Sequence, residues 1–510
     1  MKKTTQQRLR NCKRRILSRR DKASSEDSGV PVLTASNIKY EMARRTRGIT
    51  AGGIGAMHLL AKKVGLQKHI DDQVHVLKVH KPYHESDHVL NLAYSVLAGG
   101  TCIQDIELLR NNESYLDSLG AKRTPGASTA GDFLRRFSEM DIELLQDAIN
   151  DARLNVWRRQ PDSFREEAII DADGTLVRTL GETKEGMDIN YKGQWGYGTL
   201  LVSLSNTNEP LFLKNRAGNR PSHEGAAEYL EAAIDLVDRA GFKKVTLRGD
   251  TDFSQTEHLD RWNEAGVRFT FGYDSTENLR QTADCLDESA WSRLCRPKKV
   301  NETEVRQRPR NVKEAIVRSR EFVNLRLLGE DYAEFDYKPT ACKEPYRMVV
   351  LRKNISKEKG EAVLFEEIRY FFYITNDRKI SAEDIIFLAN GRCGQEGLIG
   401  ELKSGVYALR APVDNLLSNW AFMVTASLAW SMKAWFALTL PETGRWKAKY
   451  AEEKAEVLGM GFKRFLNAFI RMPAQIIRTG RRIVFRLLDW NPFRPIFFRA
   501  LDALETKMNC

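Results

Sequence analysis

The stretch "EEAIIDADGTLV" (residues 166–177) decides how this chain is read. Ala168, Ile169 and Ile170 form a short apolar run, the pattern of a buried strand. Polar residues follow at once: Asp171 and Asp173, two positions apart, then Gly174 and Thr175. An aspartate on a strand is by itself most often a turn or cap residue. Its meaning depends on what the rest of the chain brings to it.

The next segments supply the frame. "YGTLLVSLS" (197–205) and "PLFLKNR" (210–216) read as two further strands. "PSHEGAAEYLEAAIDLVDRAG" (221–241) reads as a capped helix with an apolar stripe. "KKVTLRGD" (243–250) is a strand, "TEHLDRWNEAG" (256–266) a helix and "VRFTFGYD" (267–274) a strand. The order β-β-β-α-β-α-β predicts a mixed α/β unit rather than a regular βαβ repeat. Its fourth strand ends in Asp250.

Residues 275–365 are charged and irregular, with strand-like pieces such as "YRMVVLR" (346–352). "IRYFFYITN" (368–376) is then a strong strand, and Ser381 caps a helix with Asp384 near a capping-box position. That helical region carries "NGRCGQEGLIGELKSG" (390–405). At about 100° per residue, Arg392, Glu396 and Lys403 project within roughly 40° of one another, while Leu398 and Leu402 face a core. Taken alone, this is equally the pattern of a solvated Arg–Glu stripe, which stabilises little.

Outside this unit the chain is helical and basic. The whole sequence has 510 residues, 42% hydrophobic, and a formal net charge of +12. That charge points to a polyanionic partner, nucleic acid before a membrane surface. Ten Lys and Arg fall in the first 22 positions against one acid, Asp21, so residues 1–35 are expected to be a disordered basic tail. Residues 36–160 read as a mostly helical domain. "SDHVLNLAYSVLAGG" (86–100) is an amphipathic helix with a Ser N-cap. "GASTAGDFLRRFSEM" (126–140) sets Arg135 and Arg136 beside Phe133 and Phe137, either as a DNA-reading helix or as an ordinary helical hairpin. Seven scattered Cys without a CxxC pair suggest reduced cytoplasmic thiols rather than a disulfide or zinc framework. "WAFMVTASLAWSM" (420–432), bounded by Asn419 and Lys433, reads as a buried helix too short for a bilayer.

Asp173, Asp250 and Glu396 therefore lie on the first strand, the fourth strand and the helix after the insertion. In the ribonuclease H arrangement the first and fourth strands are central neighbours. Three gathered carboxylates repel unless a divalent cation neutralises them. Mg2+, hard and oxygen-seeking, fits such a donor set.

At this point the chain resembles the DDE transposases of bacterial insertion sequences. "DGT" (173–175) resembles the first-Asp motif and favours Asp173 over Asp171. "RGDTDF" (248–253) resembles the second and favours Asp250 over Asp252. Arg392, Glu396 and Lys403 match the Arg-x3-Glu-x6-Lys signature, although the tyrosine expected before it is Ala389 here. "LAGG" and "ASTAGDFLRRF" upstream resemble the thirteen-eighty family of insertion sequences.

The resemblance implies an RNase H-like mixed sheet, with a first part at 165–274 and a second part carrying the Glu helix at 366–440. It implies an insertion at 275–365, a helical end-binding domain at 36–160 and a helical basic region at 441–510. It further implies cut-and-paste transposition. Asp173, Asp250 and Glu396 would hold two Mg2+ ions, with Mn2+ as a substitute, for phosphodiester hydrolysis and strand transfer. DNA, as terminal inverted repeats and target, would be the partner of a homodimer in the bacterial cytoplasm, associated with the nucleoid and with no membrane. Arg392 and Lys403 would hold phosphates. Arg135, Arg136 and Trp291 are further DNA-contact candidates, Trp291 because it lies in the insertion.

Two other readings compete. "AIIDADGTLV" also resembles the nucleophile motif of haloacid-dehalogenase-like phosphatases, with Asp171 as nucleophile and Asp173 as acid. Against it, three strands rather than a helix follow the motif, and Ser254 and Gln255 stand where a further acid is needed. A catalytically inactive, DNA-binding derivative is the other. His80, His84 and His88 have i,i+4 spacing, but Pro82 interrupts a continuous helical zinc site.

Overall fold

β1 (Ala168–Arg178) is an interior strand of a large mixed sheet, paired on both edges. The computed structural model describes residues 3–24, 39–40, 46–296, 312–360, 362–479 and 482–505. β1 pairs antiparallel with β2 (Trp195–Leu204), with Asp173 opposite Leu201, and parallel with β4 (Val245–Gly249), with Asp171 opposite Arg248. β3 (Glu209–Ala217) pairs with β2, and β5 (Arg268–Tyr273) runs parallel to β4. The local order is therefore β3-β2-β1-β4-β5. The expected strand-to-polar transition inside 166–177 is absent. Pairing with β2 carries β1 through Asp173, Gly174 and Thr175 to Arg178, opposite Gly196. Asp173 thus sits in the body of a strand, where its neighbours are held by ladder hydrogen bonds.

Residues expected to form the insertion enlarge this sheet. β6 (Val323–Tyr337), β7 (Tyr346–Lys359) and β8 (Ala362–Thr375) form an antiparallel set, and β8 joins it to β5 through the pair Phe271–Ile374. Residues 297–311 of the predicted insertion lie outside the described residues. The inner half of this set packs on α9 (Ala382–Asn390) through Val349, Leu351, Ile385 and Ile386. The outer half leaves Leu325, Leu327, Phe365 and Phe371 exposed.

The helical parts meet around α11 (Leu416–Leu438), whose 23 residues are long and apolar enough to cross a bilayer but are buried throughout their apolar window. The apolar run is longer than 420–432 because the fold absorbs its two polar boundaries. Asn419 accepts from Val413 N at 3.0 Å and donates to Asn415 O at 2.8 Å. Lys433 Nζ donates to Leu458 O at 2.7 Å and lies 3.8 Å from the centre of the Trp430 ring. α2 (Ile54–Lys63), α4 (Glu85–Leu97), α6 (Ala127–Leu134) and α7 (Glu139–Trp157) all pack on α11. One continuous apolar cluster runs from Ile49 to Leu504.

A buried charge node ties these layers together. Glu209 accepts from Arg153 Nε at 3.0 Å, Trp157 Nε1 at 3.0 Å, Trp435 Nε1 at 2.8 Å and Thr207 Oγ1 at 2.7 Å. Arg153 and Glu209 side chains are 1% and 0% exposed, so bonds among α7, β3 and α11 take the place of water except at Arg153 Nη1, which is left unpaired.

Three local expectations are corrected. The basic tail is not structureless: Lys3–Ser24 forms a helix, α1, because this segment lacks Gly and Pro and is rich in Lys, Arg, Gln and Leu, all good helix formers. Residues 25–35 of the expected tail lie outside the described residues. α4 is capped by His84 rather than Ser86, whose hydroxyl instead donates to Asp71 at 2.8 Å. The C-terminal region, expected to be helical and basic, holds a hairpin, β9 (Ala474–Thr479) and β10 (Arg482–Leu487), between α12 (Lys447–Leu458) and α13 (Arg494–Glu505); β9 pairs with Gly48–Ile49.

Candidate active site

Asp171 and Asp173 lie two apart on β1 and so share a face, yet their surroundings differ. Arg248 grips Asp171 with a two-pronged bond, Nε to Oδ1 at 2.6 Å and Nη2 to Oδ2 at 2.7 Å. The same guanidinium donates to Ser205 Oγ at 2.8 Å and to Leu388 O, near the end of α9, at 3.0 Å. Both side chains are buried. Asp171 is thus a structural anchor, which removes the free nucleophile that the phosphatase reading needs.

Asp173 faces a different partner. Its Oδ1 accepts from Gly174 N at 2.8 Å, and its Oδ2 lies 3.2 Å from Arg392 Nη1. Asp250 follows β4 and caps the short turn Thr251–Phe253, accepting from Asp252 N at 3.1 Å. Its Oδ2 lies 3.8 Å from the same Arg392 nitrogen. The parallel pairing of β1 and β4 sets the two aspartates on either side of one guanidinium.

The helix carrying Arg392 is not continuous with its predecessor. α9 ends at Asn390, and α10 (Cys393–Ser404) starts afresh with Arg392 at its N-cap. A side chain at Gly391 would meet Arg248 Nη1 at 2.6 Å, so the glycine permits the close approach of Arg248 at this break. Leu398 and Leu402 are buried, as the helical spacing requires. Gln395, also buried, donates to Asp171 O and to Leu201 O, both at 3.1 Å, and so pins α10 across β1 and β2. Glu396 is then exposed on the first turn of α10. At the other end Lys403 Nζ donates to Thr175 Oγ1 at 2.6 Å, two residues beyond Asp173 on β1.

The electrostatics follow from this crowding. Burial pushes the Asp173 carboxyl up to about 6, against the pull of Arg392, and the charges of Asp250 and Glu396 add to the rise. Burial also raises Asp250, opposed by Arg392 and assisted by Asp252 and Asp274. Lys403 is lowered by burial, and Asp173 opposes that shift. Asp173 therefore feels both other acids, with Arg392 as the counter-charge. Among the described residues no three His, Cys, Asp or Glu side chains are close enough together to hold a metal ion. The structure brings Asp173, Asp250 and Glu396 into one electrostatic neighbourhood, but not to a common point.

The remaining candidates lie elsewhere. Arg135 Nε binds Asp414 at 3.0 Å and its Nη1 binds Asp132 at 3.1 Å, while Arg136 is exposed beside it. Trp291 packs under the Arg352 guanidinium at 4.2 Å, which is itself held by Glu288. His80 and His84 stack at 4.9 Å, and His88 is buried against Phe133, so the histidine run serves packing. Arg248 and Gln395 were missed. Each lies inside a quoted motif, but nothing in its spacing distinguishes a buried polar clamp from an exposed one.

The family model described as transposase DDE domain group 1 matches residues 42–509. Among solved structures, a piggyBac transposase in a synaptic complex with hairpin DNA is 9% identical, with a TM-score of 0.33, covering 81% of this chain and 86% of that one. No curated protein sequence matches the chain.

Proposed function

The chain belongs to the transposase DDE domain family, group 1, and from that membership we propose that it is a cut-and-paste DNA transposase with Asp173, Asp250 and Glu396 as its reactive acids. The observation that carries this reading is the placing of Asp173 and Asp250 on either side of Arg392, with Glu396 near enough to raise Asp173. The strand order β3-β2-β1-β4-β5, with only β1, β4 and β5 parallel, supports an RNase H-like core.

The donor set suits Mg2+ or Mn2+. It consists of hard carboxylate oxygens, and in Asp173 and Asp250 burial, with repulsion from neighbouring carboxylates, disfavours the ionised form. Asp173, Asp250 and Glu396 would hold the cations. When bound, two such ions polarise a phosphodiester and support hydrolysis and strand transfer.

The chain's own residues do the rest. Gln395 fixes α10 against the sheet, so that Glu396 is carried on a rigid element. Arg248 neutralises Asp171 and keeps it out of the reacting set. Arg392, no longer needed as counter-charge once the carboxylates are otherwise neutralised, can turn its planar fork to a DNA phosphate. Lys403, anchored at Thr175 two residues beyond Asp173, would be a second phosphate donor. Residues 36–160 and the insertion, with Arg135, Arg136 and Trp291, would bind the element's terminal repeats in a homodimer that bridges two ends.

The test uses linear DNA bearing the element's ends, with Mg2+, Ca2+ or no metal, and maps strand breaks. Breaks at the ends with Mg2+ alone are expected. Asp173→Asn, Asp250→Asn and Glu396→Gln should retain end binding and lose more than about 100-fold in cleavage rate, or about 2.7 kcal/mol of transition-state stabilisation. Wild-type cleavage by Glu396→Gln would contradict the assignment.

A further inference from the structure

The connection from β1 to β2 carries large aromatic side chains out into solvent. Tyr191 is 90% exposed and Trp195, the first residue of β2, is 48% exposed. The segment that bears them is tied down. Glu185 N donates to Asp414 O at 2.8 Å, Lys184 Nζ to Val413 O at 2.6 Å and Tyr197 OH to Glu185 O at 2.8 Å. At the tip Asn190 Oδ1 accepts from Lys192 N at 3.0 Å and from Gln194 N at 2.9 Å, and Gly193 makes the turn at φ +72°. Tyr191 is therefore held outward by a hydrogen-bonded turn, not by burial of its ring. Large apolar groups kept exposed on a fixed support mark an interaction surface.

The strand register places this surface relative to the acids. Asp173 stands opposite Leu201, and Trp195 lies six residues before Leu201 on β2, so Asp173 and Trp195 share one face of the sheet. Ile189, also exposed, pairs with Trp195 and lies on that face too. At about 3.4 Å per residue, Trp195 is about 20 Å along the sheet from the level of Asp173. Lys403, bonded to Thr175, occupies the same face between them.

Charge narrows the choice of partner. No Asp or Glu occurs in residues 189–204. Lys192 Nζ lies 5.1 Å from the centre of the Tyr191 ring, and Arg178 is exposed at the end of β1. An apolar protein face laid on Tyr191 would bury Lys192 without a counter-charge. A polyanion that carries flat groups satisfies both the rings and the cations.

We propose that Tyr191 and Trp195 stack on bases of the DNA duplex about six base pairs from the phosphate held at Asp173, unstacking the duplex at that step. The distance follows from about 20 Å along the sheet and a rise of about 3.4 Å per base pair. Lys192 meets the adjoining phosphate. Side chains set between base steps open a duplex in this way, and aromatic rings accept any base on their faces. The proposal rests on the transposase reading, which supplies the DNA and the position of the scissile phosphate.

The experiment uses the full chain bound to linear DNA bearing the element's ends, with Ca2+ so that the strands stay intact. The fluorescent base 2-aminopurine, quenched when stacked in a duplex, replaces one base at a time over about ten pairs on either side of the cleavage site. A rise of about 3-fold or more, confined to positions about five to seven pairs from that site, is expected. Tyr191→Ser should lose most of this rise, and Tyr191→Ser/Trp195→Ser should also weaken end binding about 10-fold. The melting temperature of Tyr191→Ser should not change, because the side chain is almost wholly exposed. No rise at any position, from a protein that binds the ends and cuts them with Mg2+, overturns the proposal and leaves the transposase reading standing. An unchanged rise and unchanged affinity in the double variant overturn it too, and loss of self-association in that variant, read by sedimentation, would then assign the surface to a second copy of the chain. A wild-type protein that neither binds nor cuts the ends overturns both.

Discussion

Asp173 spends folding energy to be where it is. Its carboxyl is held near 6 in the fold, above its ordinary value. Between about pH 4 and pH 6 the folded chain therefore binds more protons than the unfolded one, and stability falls as pH rises through that window. The cost stays in place above pH 6, at most about 3 kcal/mol. Asp173→Asn should accordingly raise the stability above pH 6 by about 1–2 kcal/mol, read by denaturant unfolding at pH 5 and pH 7.5, with a smaller gain at the lower pH. Equal gains at both pH values would contradict the assigned shift. Arg392 bears on the same carboxylates at 3.2 and 3.8 Å. Arg392→Ala removes this competing cation, so Mn2+ affinity measured by calorimetry should rise several-fold, while affinity for DNA ends falls.

At the scale of elements, the legible parts were those in which one local pattern decides. The apolar runs at 168–170, 200–204 and 245–247 became β1, β2 and β4, and Ser381 caps α9, accepting from Asp384 N at 3.1 Å. The break between α9 and α10 was not legible. Arg392 and Glu396 have i,i+4 spacing in an unbroken helix, whereas in the fold α9 is capped at Gly391 and the distant Arg248 takes up Leu388 O there. The full length of α11 was hidden for a related reason: Lys433 finds its partner 25 residues away at Leu458 O, while Asn419 is absorbed by the turn just before the helix, at Val413 and Asn415. The sequence placed Asp173, Asp250 and Glu396 on separate elements, but the clamp that orients α10, Gln395, depends on strand carbonyls no spacing announces. Gln395→Leu should cost about 1–3 kcal/mol of stability, because two bonds to buried carbonyls are lost. It should lower the cleavage rate more than DNA-end affinity, which single-turnover cleavage and equilibrium binding separate.

The whole molecule is organised by a shared interior. The apolar cluster spans Ile49 to Leu504, and the Arg153–Glu209 node joins α7, β3 and α11 within it. Glu209→Ala leaves Arg153 charged in the interior, so a loss of about 3–5 kcal/mol is expected. Calorimetry should show the helical N-terminal part and the sheet melting together in the variant, as in the wild type; two separate transitions would contradict the shared core. The net charge of +12 acts at the same scale. The logarithm of the affinity for DNA ends should fall steeply and linearly with the logarithm of salt concentration, as released counterions require.

The most direct measurement is anomalous diffraction from crystals of the full chain grown with a DNA end and Mn2+. The account predicts Mn2+ bonded to Asp173, Asp250 and Glu396, with Arg392 withdrawn from the two aspartates and resting on a phosphate. Mn2+ elsewhere, with Arg392 still bridging Asp173 and Asp250, would contradict it.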